Sequence, residues 1–131
     1  MTDGLLKRPA SAAPPARAFE VSVFDHWDYP DDDCMDWVSG FPTFESARDY
    51  ARARTRASVE ECRKPGQTPE QLRQAWGSFG ECCSVYVVGA DGQRCYNGRD
   101  EIDFFVSHAA TATETDWATI EPPRVEPLSR S

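Results

Sequence analysis

Residues 19–44 read FEVSVFDHWDYPDDDCMDWVSGFPTF, and the fold follows from how this stretch alternates. Phe19, Val21 and Val23 share one parity while Glu20, Ser22, Phe24 and His26 share the other, a period of two that predicts a half-buried strand. The run Asp28-Tyr29-Pro30-Asp31-Asp32-Asp33 ends that strand, because proline donates no backbone hydrogen bond and aspartate satisfies its own backbone in turns. Met35 and Trp37 then alternate with Asp36 and Val38 as a short return strand closed by Gly40. Two antiparallel strands in a hairpin are the product.

Working outward, Thr43 is placed to cap a helix, with Glu45 favoured in its first turn by the helix dipole. Residues 44–64 contain neither Gly nor Pro, which predicts one long helix. Phe44, Ala47, Tyr50/Ala51, Ala57 or Ser58, and Cys62 form its apolar stripe. Arg48, Arg52 and Arg56 stack at i, i+4 and i+8 on another face. Pro65-Gly66 stops this helix. Thr68-Pro69-Glu70-Gln71 opens a second one with a capping box and Pro at the first helical position, and Leu72, Ala75/Trp76 and Phe79 are its apolar face. Cys83 to Val88 is the most strand-prone run. Asp91-Gly92 turns it back into a short partner strand, Gln93 to Tyr96. Asp100 is placed to cap a last helix with Ile102, Phe105, Val106 and Ala109 on one face. The reading is a single α+β domain in the order ββααββα: two antiparallel hairpins in one sheet, packed against one long and two short helices.

The chain has 131 residues, enough for one modest core. Residues 1–17 and 118–131 hold no aromatic residue and six of the ten prolines. Both ends are expected to be disordered tails around a domain at 18–117, a span of about 100 residues and ordinary for a compact unit. No apolar run approaches the roughly 18 residues of a membrane span, and residues 1–17 lack the apolar stretch of a secretory signal. Five cysteines at irregular spacing fit reduced thiols better than a disulfide framework. A cytoplasmic location follows as the expectation, with no membrane contact.

Charge is distributed unevenly. Glu20, Asp25, Asp28, Asp31, Asp32, Asp33, Asp36 and Glu45 fall in a segment with no Lys or Arg, and these eight carboxylates equal the net charge of −8 of the whole chain. An acidic field repels nucleic acid and anionic lipid, so phosphate binding needs a local basic patch. The row Arg48, Arg52, Arg56 is the dense positive feature, and in so acidic a domain it reads as solvated or paired within the molecule.

At Lys64-Pro65-Gly66-Gln67-Thr68-Pro69-Glu70-Gln71-Leu72, followed by Ser78-Phe79-Gly80-Glu81, the chain resembles a family of small bacterial proteins with no assigned activity. Its members share a strand running into an aromatic acidic turn, a helix opened by Thr and acidic residues, and a K-P-G-x-[ST]-x-E-x-L connection. The first part is matched by Val23-Phe24-Asp25-His26-Trp27-Asp28-Tyr29 with Asp31 to Asp33, the second by Gly40 to Ala47. The resemblance covers residues 19–81 and departs at Cys82-Cys83, where the family has an acidic residue and Pro. It implies a domain type and supplies no catalytic residues.

The candidate chemistry is recognition. Trp27, Asp28, Tyr29, Asp31, Asp32, Asp33, Asp36 and Trp37 interleave aromatics with carboxylates, a composition suited to a basic protein partner: aromatic area supplies affinity and carboxylates steer encounter. The alternative is that Trp27 and Trp37 pack into the core or cover the hairpin, and for the carboxylates a solvated hairpin tip whose charges keep a strand edge from pairing. A divalent cation would need converging oxygens, and no frame from Asp25 to Glu45 fits the EF-hand spacing. His26 beside Asp25 and Asp28, with Cys34 nearby, lacks the oriented base and oxyanion hole of a nucleophilic site. The cysteines show no paired zinc spacing. The expectation is a non-enzymatic binding or regulatory protein using residues 25–37, with no cofactor, metal or catalytic residue. The alternatives are an immunity or inhibitor protein that mimics nucleic-acid phosphates, and a divalent-metal protein or small enzyme.

Overall fold

The computed structural model describes residues 19–26, 35–88 and 93–120. Strand β1 (Phe19–Asp25) pairs antiparallel with β2 (Met35–Phe41), the hairpin expected from the alternation. Helix α1 (Phe44–Cys62) starts where Thr43 Oγ1 accepts the Ser46 N–H at 3.1 Å. Helix α2 (Pro69–Phe79) carries the full capping box: Gln71 N–H donates to Thr68 Oγ1, and Thr68 N–H donates to Gln71 Oε1. Strands β3 (Glu81–Val87) and β4 (Arg94–Asn97) make the second hairpin. A 3-10 turn (Gly98–Glu101) leads into α3 (Ile102–Ser107), and two more such turns follow at Thr113–Thr115 and Trp117–Thr119. The class is α+β, in the order ββααββα.

The sheet runs β2-β1-β3-β4, so the two hairpins are joined by antiparallel β1–β3 pairing, with Val21 opposite Val85 and Val23 opposite Cys83. Odd residues of β1 and β3 face α1. Val21, Val23, Val38, Phe41, Cys83 and Val85 bury against Ala47, Tyr50 and Ala51 of the helix. A second cluster, with Val59, Leu72, Trp76, Ile102 and Phe105 at its centre, gathers α2 and α3 around the far end of α1. Ile120 packs on the first cluster. Gly40 sits at φ +100° where the β1–β2 register slips between Phe19 and Val21. The extra residue there needs a conformation that side chains resist, which is why glycine occupies a position inside the strand instead of ending it.

One device joins helix to sheet in a way apolar periodicity does not show. β4 reaches back along β3 only as far as Ser84, which leaves the backbone of Glu81 and Cys83 without a strand neighbour on that side. Two hydroxyls of α1 take the place of the missing strand: Thr55 Oγ1 accepts Cys83 N–H at 3.0 Å, and Ser58 Oγ accepts Glu81 N–H at 2.7 Å. Trp76 Nε1–H donates to Glu81 O at 2.9 Å. Every buried backbone group has to be paired somewhere, and here helix side chains finish the ladder.

Several expectations need correction. Arg56 is not on an exposed row: it is buried, with its fork toward His108 O (2.9 Å) and Glu114 (3.5 Å) and its guanidinium 5.2 Å from the Phe104 ring centre. Arg52 pairs with Glu101 at 2.9 Å and Arg48 with Asp49 at 3.2 Å. The row is engaged within the molecule, Arg48 by its helix neighbour and Arg52 and Arg56 by carboxylates of the C-terminal segment. A run of i, i+4 charges looks solvated only until the acidic segment that covers it is placed. Phe79 is 61 % exposed instead of packed, because α2 ends there and the chain leaves at Gly80 for β3. α1 stops at Cys62, before the residue that precedes Pro65 and is disfavoured in a helix. The side chain that caps the C-terminal turn is Asn97, which accepts Arg99 N–H at 3.0 Å, and not Asp100. Trp27, Asp28, Tyr29, Asp31, Asp32 and Asp33 of the acidic turn, and the two expected tails apart from residues 118–120, lie outside the described residues, which leave out 1–18, 27–34, 89–92 and 121–131.

Candidate functional site

Because β-strand side chains alternate, the residues that do not face α1 share the opposite face of the sheet. On β1 these are Glu20, Ser22 and Phe24; on β2, Met35 and Trp37; on β3, Cys82, Ser84 and Tyr86; on β4, Arg94 and Asn97. Their register brings them together: Ser22 lies opposite both Trp37 and Ser84, and Phe24 opposite both Met35 and Cys82. The small Ser22 of the central strand lets rings from the flanking strands meet across it. Trp37 and Tyr86 approach to 5.3 Å between ring centres, tilted at 60°.

Beside this aromatic pair a hollow of about 200 Å³ opens over Ser22, Cys82, Ser84 and Asn97, walled by Phe24, Met35 and Tyr86, with Arg94 and Arg99 on its β4 side. A neighbouring hollow of about 250 Å³ shares Phe24 and Arg99 and adds His26 and Gly77. His26 is fixed by its surroundings: its N–H donates to Gly80 O at 2.9 Å, its Nδ1–H to Trp76 O at 2.9 Å. That tautomer leaves Nε2 to accept from Arg99 Nη2 at 3.3 Å. Arg99 also lies 5.3 Å from the Trp76 ring centre, a cation held over an aromatic face. A larger cleft of about 440 Å³ separates α2 from α3, but the ion pair Arg73–Asp103 lies in its lining and balances its own charge.

Of the residues expected to contact a partner, Asp36 and Trp37 are described, and they part company. Trp37 is on the open face, whereas Asp36 points the other way, exposed and opposite Val23. Residues interleaved along a strand are segregated by the pleat. The other six expected residues lie outside the described set. Sequence reading missed Phe24, Tyr86, Arg94, Asn97 and Arg99 as site residues. The signal was present in β3, where Cys82, Ser84 and Tyr86 alternate with Cys83, Val85 and Val87.

The thiols are built for packing. Burial pushes Cys83 up to about 12, and it raises Cys62, Cys82 and Cys95 above the ordinary thiol value as well. A raised thiol is a poorer nucleophile at neutral pH. Tyr96 is held protonated by burial and by the bond its hydroxyl donates to Glu101 Oε2 at 2.5 Å. Among the described residues no group of three or more His, Cys, Asp or Glu side chains is gathered in a way that could hold a metal ion. No described helix is long and apolar enough to cross a membrane. Comparison with protein-family models, with curated proteins and with solved structures finds no match to this chain.

Proposed function

We propose that this protein is a binding module that docks a basic protein partner at its first hairpin, with the acidic turn steering encounter and the rings beside it supplying contact area. The observation that carries this reading is the Trp37–Tyr86 pair on the sheet face opposite α1, with Trp37 in the strand that follows the acidic segment in sequence. Aromatic side chains set among small and polar neighbours are what interface hot spots are made of. A cytoplasmic setting agrees with the free thiols of Cys62, Cys82, Cys83 and Cys95, since adjacent Cys82 and Cys83 face opposite sides of β3.

The test is affinity capture from the source cell with the full chain, followed by measured dissociation constants for the protein recovered. Trp37→Ala should weaken that complex by at least about tenfold, the size of an ordinary hot-spot loss. Changing Asp31, Asp32 and Asp33 together to Asn should slow association and flatten its salt dependence. A partner that binds both variants as it binds the parent chain overturns the proposal. Should the recovered protein be a nuclease, inhibition of its activity by the parent chain and not by the triple variant identifies the carboxylates as phosphate mimics.

A further inference from the structure

Eight arginines are described, and six of them have a carboxylate within 4 Å: Arg48 with Asp49, Arg52 with Glu101, Arg54 with Glu81, Arg56 with Glu114, Arg63 with Glu60, Arg73 with Asp103. The remaining two, Arg94 and Arg99, form no salt bridge among the described residues, and both line the same hollow on the open sheet face. In a chain with a net charge of −8, two neighbouring guanidiniums with no carboxylate partner among the described residues depart from the pattern of the other described arginines.

We propose that this hollow is a binding site for a small organic oxyanion, a carboxylate or a phosphate monoester, received by Arg94, Arg99 and the side-chain amide of Asn97. The donors are already arranged. Asn97 Oδ1 accepts from Arg99 N at 3.0 Å, Ser84 Oγ at 3.4 Å and Cys82 Sγ at 3.5 Å. Those three donors fix which way the amide is turned, so its NH₂ is what Asn97 has left to offer a ligand. Arg99 is exposed yet held by His26 Nε2 and the Trp76 ring, so it surrenders little rotamer freedom when an anion arrives. A guanidinium fork matches the paired oxygens of carboxylate or phosphate. Phe24 and Tyr86 on the walls favour an oxyanion carried on a flat apolar ring. A polar, donor-rich pocket of this kind calls for a ligand rich in acceptors.

The probes are benzoate, phenyl phosphate and inorganic phosphate, with benzamide as the uncharged control. Binding to the full chain is followed through the Asn97 side-chain amide resonances and tryptophan fluorescence. Saturable shifts at millimolar concentration are expected with benzoate or phenyl phosphate, and no saturation with benzamide. The tighter of the two names the oxyanion, and weaker binding of inorganic phosphate than of phenyl phosphate shows the contribution of the rings. Arg94→Gln and Arg99→Gln should each weaken binding at least about fivefold, with Arg48→Gln unchanged. Asn97→Asp, which keeps the accepting oxygen and loses the donor, should do the same as the arginine changes. Saturation with none of the anions, or equal binding by the parent and both arginine variants, overturns the proposal. These titrations use no protein partner, so failure here is separable from failure of the protein-docking reading.

Discussion

Thr55 performs a task that belongs to a strand. Fully buried, its hydroxyl accepts the Cys83 N–H that β4 is too short to reach. Thr55→Val keeps the shape and removes the acceptor, so a buried N–H is stranded; urea melts should show a loss of about 1–3 kcal/mol. Gly98 belongs to the same junction: a Cβ there would lie 2.6 Å from Thr55 Oγ1 and 3.1 Å from Cys83 O, so only glycine lets the chain pass. Glu60 is a carboxylate whose ionisation is tied to the fold. Burial pushes its carboxyl up, but two hydrogen bonds from Arg63 at 2.8 Å, the Ala110 N–H at 3.2 Å and the charge of Arg56 outweigh that and hold it below the ordinary glutamate value of 4.5. A lowered folded-state pKa contributes stability that is complete above the ordinary value and is lost as the pH falls through the folded one. The stability gap between the parent and Glu60→Gln should therefore be widest at neutral pH and close as the pH drops below 4.5; a gap that widens in acid contradicts the assignment.

At the scale of elements, the parts with strong local grammar were readable in advance. Alternation over residues 19–25 and 35–38, the glycine-free run from Phe44 and the capping box at Thr68 each predicted an element that is present. Thr68→Ala should cost about 1 kcal/mol through loss of the cap, measurable as a lower urea midpoint with unchanged slope. Gly40→Ala, forced to φ +100°, should cost about 1–2 kcal/mol. What was not legible depended on partners distant in sequence. Nothing near Arg56 announces that His108 and Glu114 will cover it, and nothing near Thr55 or Ser58 announces that β4 ends early. The open face was half visible: the alternation in β3 was there to be read, but only the strand order β2-β1-β3-β4 shows that Trp37 and Tyr86 meet across β1. The acidic turn drew attention by its charge, whereas Arg94 and Arg99, without a carboxylate partner among the described residues, are conspicuous only once the other six described arginines have been matched to theirs.

Across the whole molecule α1 is the spine to which the C-terminal segment is fastened. Arg52 holds Glu101, Arg56 reaches His108 O and Glu114, and Arg63 donates to Phe105 O at 2.9 Å and Val106 O at 3.2 Å. Arg54 lies 4.3 Å from the ring centre of Trp117, which itself meets Tyr50 at 5.5 Å. Trp117→Ala should therefore lower stability, by less than the about 3–5 kcal/mol of a fully buried aromatic because the ring is half-exposed; circular dichroism and tryptophan fluorescence should report the same single transition, because both core clusters share α1. The fastening also orders events during synthesis. Glu101, His108 and Glu114 leave the ribosome well after α1, so a nascent chain halted before them presents a helix whose Arg52 and Arg56 have not yet met their carbonyl and carboxylate neighbours. Such a stalled chain closes only after translation has delivered those later turns.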